Sequence, residues 1–522
     1  MREIHVDISL VKERYNHFFK ECASTGRAYL ILRSDHQQHL EMAAQECGFK
    51  YLRFHGLLQD DMGVYREDTE GNPIYSWQYA DAVYDFLLGI GMRPFVVFDF
   101  MPEKLASGNK TVYWEKANVT PPKDYDKWSA LVGKVVEHFT ERYGQEEVKQ
   151  WFFEVWNEPD NGYFFTAGMD EYFTLYESTA RAVKGVCAEY RVGGPAIAGD
   201  TRWVGGLIDF CRRSGAPIDF ISMHTYATKN FCEHTQEDKL NHISRGPAGI
   251  PVWSPGTPWT MGNQRYDPEG AAGAVCKARQ AVGEASAPEL DIHCTEWGLT
   301  WDYWDPLRDS YHAASFILSR LKSVWGSVKS MSYCEISDVF EEDGPPTGHF
   351  HGGFGLINLQ GIRKPAYFAY KFLNQLGETE LKCDDANAIA CSENGGVQVL
   401  FWDCTVRQDK ENKEYYNKDN LPLPAGNVRL SIAGLLTGDY EVAVYCTGYR
   451  QNDAYTSYME MKPSGSLSRE AVKLLDGMSR GIPVKSDRIA IDLNSGGTYV
   501  FETDMRENDV FLVMIQRMEE KI

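Results

Sequence analysis

Short apolar runs alternate with helix-like segments over about the first 370 residues of the chain. Apolar residues recur at helical spacing in segments such as HQQHLEMAAQECG, which follows the first run. Because strands that alternate with helices form parallel sheets, these runs predict an α/β fold, a closed (β/α)8 TIM barrel, with an open doubly wound sheet as the competing fold. The eight predicted strands are YLILR (29–33), KYLRFHG (50–56), RPFVVFDF (93–100), VKQWFFEVWNEP (148–159), RVGGPAIAG (191–199), PIDFISMHTY (217–226), ELDIHCTEWG (289–298) and SVKSMSYCEIS (327–337).

From about residue 380 the pattern changes to short, alternating, β-rich runs bounded by Gly, Asn and Asp, such as GDYEVAVYCTG and NDVFLVMIQ. Regular strands with few helices predict an accessory β-sandwich. The predicted domains are a catalytic barrel over 21–375 and a β-sandwich over 376–522, which the segment 1–20 around HVDIS joins.

One stretch, 227–288, is too long for a simple barrel connection and predicts an insertion. Its aromatic residues Trp253, Trp259 and Tyr266 favour a functional role for it.

The acidic balance of the chain restricts its partners. The formal net charge is −21, from 74 acidic and 53 basic residues. Such a charge disfavours nucleic acids and anionic membrane surfaces, whereas a neutral oligosaccharide substrate meets no repulsion. A homo-oligomer is compatible with the sequence.

The cysteines and the first residues bear on the compartment. Twelve cysteines occur without a CxxC pair, so neither a zinc site nor a dense disulfide framework is expected. The first residues lack the pattern of a secretory signal, and no stretch approaches the roughly 18 apolar residues of a membrane span. We expect a cytoplasmic protein, or a secreted or periplasmic one whose leader has been removed.

Catalytic side chains of a (β/α)8 barrel lie where the strands end at the carboxyl face. At the ends of predicted strands two, four, six and seven stand Arg53 and His55, Asn157 and Glu158, His224 and Tyr226, and Glu296 and Trp297. Two glutamates from strands four and seven therefore point over one mouth.

Two carboxyl groups that face each other across a sugar are the minimum equipment for glycoside hydrolysis. Asn157 could bind the sugar 2-hydroxyl beside Glu158, which favours Glu158 as acid/base, and Tyr226 could hold Glu296 ionised as nucleophile. A single glutamate at a strand end more often caps a helix or joins an ion pair. Two glutamates at this pair of strand ends favour catalysis.

At these residues the chain resembles glycoside hydrolase family 39, the group of retaining β-xylosidases and α-L-iduronidases. The similar stretches are KYLRFHGLLQDDMGVY, GMRPFVVFDFMPEKLASG, NVTPPKDYDKW, FFEVWNEPD, DFISMHTYA and FHGGFGLINLQGIRKPAYFAY. The resemblance implies that Glu158 is the acid/base and Glu296 the nucleophile. It also implies a β-sandwich, no metal and no organic cofactor.

Further sugar contacts are implied by the same resemblance. His55, Asn157, His224 and Tyr226 would bind sugar or support the two glutamates, and Trp297 is a candidate aromatic contact. The segment SDVFEED (337–343) resembles the family segment whose acidic residues reach sugar hydroxyls. Glu341 and Glu342 are both candidates there, and a solvated turn is the competing interpretation.

The chain departs from the family pattern after Tyr333, where Cys334, followed by Glu335, stands in place of an expected Trp. A thiol cannot supply the stacking surface of an indole, so either Trp297, Trp301 or Trp304 takes its place or the preferred substrate differs. This departure bears on the substrate more than on the reaction.

The leading hypothesis is a retaining exo-glycoside hydrolase that removes β-linked xylosyl or related residues from oligosaccharides by double displacement. The alternatives are a related specificity (α-L-arabinosidase, β-glucosidase or uronidase) or a non-catalytic carbohydrate-binding protein on a degenerate hydrolase scaffold. A uronidase would need cationic partners for the substrate carboxylate, and Arg53 is the one basic group that the pattern brings to the mouth. Cys334 keeps the binding-protein alternative open.

Overall fold

The computed structural model describes residues 1–227, 267, 269–301, 305–346, 348–407, 415–416, 418–461, 466–492 and 497–518. Its strands are β1 (Arg2–Asp7), β2 (Val11–Arg14), β3 (Cys22–Arg27), β4 (Tyr51–His55), β5 (Tyr65–Glu67), β6 (Pro73–Tyr75), β7 (Arg93–Phe98), β8 (Thr111–Val112), β9 (Ala117–Asn118), β10 (Phe152–Val155), β11 (Arg191–Ile197), β12 (Phe220–Tyr226), β13 (Asp291–Gly298), β14 (Ser330–Tyr333), β15 (Thr379–Leu381), β16 (Ala388–Glu393), β17 (Gly396–Trp402), β18 (Pro424–Ala433), β19 (Gly438–Thr447), β20 (Lys485–Ile491), β21 (Tyr499–Arg506) and β22 (Val510–Arg517). Its α-helices are α1 (Ser34–Cys47), α2 (Gln78–Gly89), α3 (Tyr125–Tyr143), α4 (Gln145–Val148), α5 (Met169–Val186), α6 (Arg202–Ser214), α7 (Gly270–Glu284), α8 (His312–Ser323), α9 (Pro365–Asn374), α10 (Ala454–Met461) and α11 (Arg469–Met478).

The predicted (β/α)8 barrel is confirmed. Eight parallel strands, β3, β4, β7 and β10–β14, form a closed barrel in which β14 returns to β3 through the pair Tyr333 and Ala23. The end of the barrel opposite the predicted mouth is filled by an apolar cluster of Cys22, Phe95, Phe152 and Phe220. Polar side chains follow these residues along the strands, so the two ends of the barrel differ in chemistry.

The first barrel strand was predicted wrongly. YLILR lies in a 3₁₀ helix, Ala28–Leu32, and the strand is β3, with the sequence CASTGR. Nearly all of β3 is buried, because a barrel strand has neighbours on both faces and the interior there accommodates small side chains. The apolar residues Leu30 and Ile31 are also buried, but outside the sheet.

Two further sheets form the accessory β-structure. One has the order β1-β18-β21, and the other has the order β2-β15-β16-β17-β22-β19-β20. An apolar cluster fills the space between them and includes Ile4, Val6 and Val399. Strands β1 and β2 thus each complete one sheet.

The larger sheet is buried on its other face as well. Leu400 and Trp402 of β17 belong to the same apolar cluster as the barrel helices, and Trp402 donates a hydrogen bond from Nε1 to Ser319 Oγ of α8 at 2.7 Å. Every residue of β17 is buried, which explains why all of its side chains except that of Gln398 are apolar.

Helices α10 and α11 lie between β19 and β20, in the part of the chain where the sequence pattern predicted strands and few helices. Tyr455 and Leu475 from these helices pack with Phe350 and Ile362, which come from the connection after the last barrel strand. The accessory domain therefore contacts a loop at the carboxyl face of the barrel.

Part of the predicted insertion is a regular barrel helix, α7. The segment that contains Trp253, Trp259 and Tyr266 lies outside the described residues, as does Trp304. In the described part of the chain, no helix combines the length and apolar character needed to cross a bilayer.

Candidate active site

Glu296 enters the barrel mouth through an irregularity in β13. The pairing of β12 with β13 shifts register between Met223 opposite Cys294 and His224 opposite Glu296. Such a bulge lets two consecutive residues face the same side. Thr295 donates its hydroxyl to buried Glu154 at 2.9 Å, while Glu296 reaches the groups at the mouth.

Glu158 is held by an unusual backbone at the end of β10. Trp156 and Glu158 adopt positive φ angles of 67° and 45°. The amide of Trp156 donates to Phe98 O at 3.0 Å, and the amide of Glu158 donates to Ala196 O at 3.0 Å. Neighbouring barrel segments thereby fix a conformation that non-glycine residues rarely adopt, as is common at functional sites.

The two glutamates meet at His224. His224 Nδ1 lies 2.8 Å from Glu158 Oε1 and 3.5 Å from Glu296 Oε2. One carboxylate oxygen from each glutamate and one ring nitrogen of the histidine all lie within 4.8 Å of one another. This spacing would also fit a metal ion, but Arg53 and His55 already neutralise Glu296, so a further cation would face their repulsion.

Three protein groups contact the carboxylate of Glu296 at hydrogen-bond distance, in addition to the nearby His224. Arg53 donates to Oε1 at 2.7 Å, His55 Nε2 lies 3.1 Å from the same oxygen, and the Tyr226 hydroxyl donates to Oε2 at 3.0 Å. Burial raises the pKa of this carboxyl, but the charges of His224 and Arg53, together with His55, outweigh it and hold the pKa well below its usual range. Glu296 is therefore ionised at neutral pH.

Arg53 links the two glutamate strands. Its Nε donates to Glu154 at 2.6 Å, and a terminal nitrogen donates to Asn157 Oδ1 at 3.0 Å. With its acceptor oxygen bound in this way, the Asn157 side chain keeps its NH₂ group for another partner.

His55 is fixed from both of its ring nitrogens. Nδ1 lies 2.7 Å from Asp99 Oδ2, and Nε2 contacts Glu296. Burial lowers the pKa of His55, but the hydrogen bond and charge of Asp99 and the bond to Glu296 raise it well above its ordinary value. A protonated ring is the form that donates to both carboxylates.

Sequence reasoning missed Glu154 and Asp99 as members of this network. Both are fully buried. A signal was present, since each is a carboxylate inside or directly after an apolar barrel strand, in FFEVW and VVFDF. A buried carboxylate requires a partner, and Arg53 and His55, both on β4, supply it.

The structure brings His55, Asn157, His224 and Tyr226 together around the two glutamates, but Trp297 does not face the mouth. Its side chain is fully buried, donates from Nε1 to Met331 O at 3.2 Å and packs edge-on against Tyr333. The residue after Glu296 points outward from the barrel because side chains alternate along a strand. The expectation that Trp297 binds sugar is therefore wrong.

Glu341 and Glu342 lie in the loop after β14. Glu341 accepts a hydrogen bond from Arg33 at 2.7 Å, and the carbonyl of Glu342 accepts one from the amide of Trp114 at 2.8 Å. The loop is thus tied to the segments that follow the first and third barrel strands.

Cys334 and Glu335 follow the last barrel strand and are buried near Glu296. The Cys334 thiol donates to Glu335 Oε1 at 2.9 Å, and Glu335 is 3% exposed. Burial, with a smaller contribution from the charge of Glu296, raises the pKa of Glu335 to about 8. A neutral carboxylic acid thus lies beside the ionised Glu296 at neutral pH.

A (β/α)8 barrel with glutamates at the ends of its fourth and seventh strands defines a glycoside hydrolase. The family model of "Glycosyl hydrolases family 39" matches residues 2–244 and 229–480. The chain belongs to this family.

The relatives agree with this assignment. A beta-xylosidase of Geobacillus stearothermophilus is 39% identical over 402 residues, 76% of each chain. A beta-xylosidase of Caldicellulosiruptor saccharolyticus is 34% identical over 513 residues, 96% of each chain. The crystal structure of a monomeric beta-xylosidase from Caulobacter crescentus CB15 superposes with a TM-score of 0.89 at 32% identity, covering 99% of this chain and 100% of the other.

Proposed function

We propose that this protein is a retaining exo-β-xylosidase, with Glu296 as nucleophile and Glu158 as acid/base. The observation that carries the proposal is the approach of the two carboxylates, one oxygen of each lying within 4.8 Å of one oxygen of the other. Retaining enzymes separate these groups by about 5–5.5 Å, whereas inverting enzymes leave about 6.5–9.5 Å for a water molecule. The short separation favours direct attack on the sugar.

The reaction proceeds by two displacements. A carboxylate oxygen of Glu296 forms a bond to the anomeric carbon while the glycosidic C–O bond breaks and Glu158 gives its proton to the leaving oxygen. Glu158, now a carboxylate, takes a proton from water, whose oxygen attacks the anomeric carbon and releases Glu296. The two inversions together retain the configuration of the sugar.

The polar network supports these roles. Arg53, His55 and Tyr226 together supply three contacts that keep Glu296 ionised for attack. The Asn157 amide nitrogen, oriented by the bond of its oxygen to Arg53, is available to donate to a sugar hydroxyl. Hydrogen bonds to the 2-hydroxyl strengthen in the transition state and lower the barrier.

The specificity for β-xylosides rests on similarity to beta-xylosidases that align over most of this chain. A uronidase is less well supported, because the Arg53 guanidinium already donates to Glu154, Glu296 and Asn157 and cannot serve a substrate carboxylate. The presence of both carboxyl groups in contact with His224 argues against a purely binding role.

The test is a panel of aryl glycosides with matched variants. Glu296→Gln should lower kcat on aryl β-xylosides by roughly four orders of magnitude or more, because the nucleophile is lost. Glu158→Ala should preserve cleavage of a dinitrophenyl β-xyloside far better than that of a phenyl β-xyloside, since only the poorer leaving group needs a proton. Glu70→Gln, on an exposed turn, is the control and should behave as the wild type.

Two outcomes would contradict the proposal. One is near-normal turnover by the Glu296 variant. The other is release of α-xylose as the first product from a β-xyloside, detected by NMR before mutarotation mixes the anomers. Preferred cleavage of β-glucosides or α-L-arabinosides over β-xylosides would keep the mechanism and overturn the specificity.

A further inference from the structure

A small hairpin on the carboxyl face carries an exposed tryptophan. Strands β8 and β9 follow the third barrel strand, and Trp114 lies in the turn between them. Its side chain is 66% exposed, although most aromatic side chains of the barrel are buried. A single exposed apolar residue is ordinary, so the surroundings of this one decide its meaning.

The hairpin is held firmly in place. The ring of Tyr113 packs against Phe100 and Phe164, with ring centroids 5.9 Å and 5.6 Å away, and Phe100 in turn lies 5.7 Å from the ring of His55. Glu115 is turned toward Arg27, the last residue of the first barrel strand, and toward Gln59, which follows the second. The hairpin therefore crosses from the third strand toward the loops after strands one and two.

At the far side of this crossing, Trp114 meets the loop after the last barrel strand. Its amide donates to Glu342 O at 2.8 Å, and its ring lies against Gly344. A Cβ atom added at Gly344 would come within 3.2 Å of the ring, and Gly344 has a positive φ of 83°. The absence of a side chain at 344 lets the indole rest on the backbone.

This arrangement has the features of a sugar-binding platform. The indole is supported by backbone on one side and exposed for most of its remaining surface. The acidic residues Glu341, Glu342 and Asp343 come directly before the supporting glycine. Sugar rings combine an apolar C–H face, which packs on aromatic rings, with hydroxyl groups that donate to carboxylates.

We propose that Trp114 is the platform of a second sugar subsite, which holds the sugar on the leaving-group side of the scissile bond. The inference rests on the proposed function, because an exo-acting enzyme places every sugar beyond the first on that side. Trp114 contributes through stacking alone, so it affects substrates in proportion to their contact with the platform.

The kinetic test compares two substrates from which the enzyme removes the same xylosyl unit but which carry different leaving groups. β-Xylosyl fluoride has a single-atom leaving group that cannot reach a platform, whereas xylobiose places a second sugar there. For Trp114→Ala, the ratio of kcat/KM on xylobiose to that on xylosyl fluoride should fall by about 5- to 10-fold, as expected for the loss of one stacked ring. The ratio for Trp114→Phe should lie between those of the wild type and Trp114→Ala. Gly344→Ala, which displaces the indole, should give a ratio similar to that of Trp114→Ala.

A binding measurement separates this inference from the proposed function. In the Glu296→Gln background, the Kd of xylotriose measured by calorimetry should rise by about 5- to 10-fold on adding Trp114→Ala. Val500→Ala, which trims an exposed side chain of β21 in the accessory domain, is the control and should leave both readouts unchanged. If the wild type binds xylotriose but does not hydrolyse it, the proposed function fails while this comparison still applies.

An unchanged ratio and an unchanged Kd in Trp114→Ala would overturn the subsite. So would an equal loss on both substrates, which would show that Trp114 supports the catalytic centre instead.

Discussion

At the scale of single residues, Glu335 is a third carboxyl group enclosed with the two glutamates of the site. It follows Cys334, whose thiol donates a hydrogen bond to it, and the negative charge of Glu296 raises its pKa. Because water is excluded and a like charge is near, the folded protein keeps this group protonated. The folded state therefore binds a proton that the unfolded chain releases at lower pH.

This linkage predicts a specific pH dependence of stability. The pKa of Glu335 rises from an ordinary 4.5 to about 8 on folding, so its contribution is present at low pH and is lost as pH rises through this window. From pH 5 to pH 8.5, the free energy of unfolding of the wild type should fall by on the order of 3 kcal/mol more than that of Glu335→Gln. Urea unfolding at pH 5, 7 and 8.5 measures the difference.

Glu70→Gln, an exposed substitution, should follow the wild-type curve in the same experiment. Parallel curves for the wild type and Glu335→Gln would mean that the carboxyl does not change its proton affinity on folding.

At the scale of elements, the loop that carries Glu158 is tied to the loop after the next strand. The Asp160 carboxylate accepts the amides of Ala198, Gly199 and Asp200 at 2.7, 3.0 and 2.8 Å. These bonds join the segments after β10 and β11 only two residues from Glu158. Asp160 thus acts as a positioning residue.

Asp160→Ala should impair catalysis more than binding. With three half-buried amides left without their acceptor, the loop of Glu158 loses its fixed geometry, and kcat on an aryl β-xyloside should fall by roughly 10- to 100-fold with little change in KM. The unfolding free energy should fall by about 2–3 kcal/mol. Asp209→Ala, which removes an exposed partner of Arg212, is the matched control.

If Asp160→Ala raised KM while kcat stayed constant, the carboxylate would serve substrate binding. If Asp160→Ala lowered the free energy of unfolding but left kcat and KM unchanged, the loop would position Glu158 without the hydrogen bonds of Asp160.

The elements also show which parts of the fold a sequence pattern can predict. Apolar runs marked the strands that end in Glu158 and Glu296, because a strand buried on both faces needs such residues. The same criterion passed over CASTGR, whose small residues suit the crowded interior, and selected YLILR, which packs from outside. The hydrophobic pattern reports only which residues are apolar, whereas a position inside the barrel also requires a side chain of suitable size.

The sequence predicted those residues of the site that stand at the ends of barrel strands. The bulge at Thr295 was not predictable, because a register shift depends on the partner strand and leaves no mark in the residues themselves. Trp297 was misjudged for a related reason, since its direction follows from pairing with Tyr333 on β14. The sequence identified Arg53 as the basic group at the mouth. Its hydrogen bonds to three separate acceptors could not be predicted, because those acceptors come together only when the barrel closes.

At the scale of the whole molecule, the barrel and the accessory sheets share one structural layer. The larger sheet contributes to the core between the sheets through one face and to the barrel core through the other. Trp402 spans this contact with its bond to α8. The two domains should therefore unfold together.

Trp402→Ala tests this coupling. Truncation of a fully buried tryptophan should lower the unfolding free energy by about 3–5 kcal/mol. Differential scanning calorimetry should show a single heat-absorption peak for both proteins, shifted downward by a few degrees in the variant, and Val500→Ala should leave it in place. Two resolved peaks, of which only one moves, would show that the domains melt independently.

The place of β1 at the edge of the smaller sheet has a consequence for biosynthesis. Arg2 pairs with Val428 and Asp7 with Ala433, so β1 is synthesised before the whole barrel and waits for a neighbour, β18, that lies beyond the barrel in the sequence. Meanwhile Ile4 and Val6 have no apolar cluster to enter. The nascent chain thus carries an open strand edge throughout synthesis of the barrel, and slow translation between β1 and β18 prolongs the exposure of that edge to other chains.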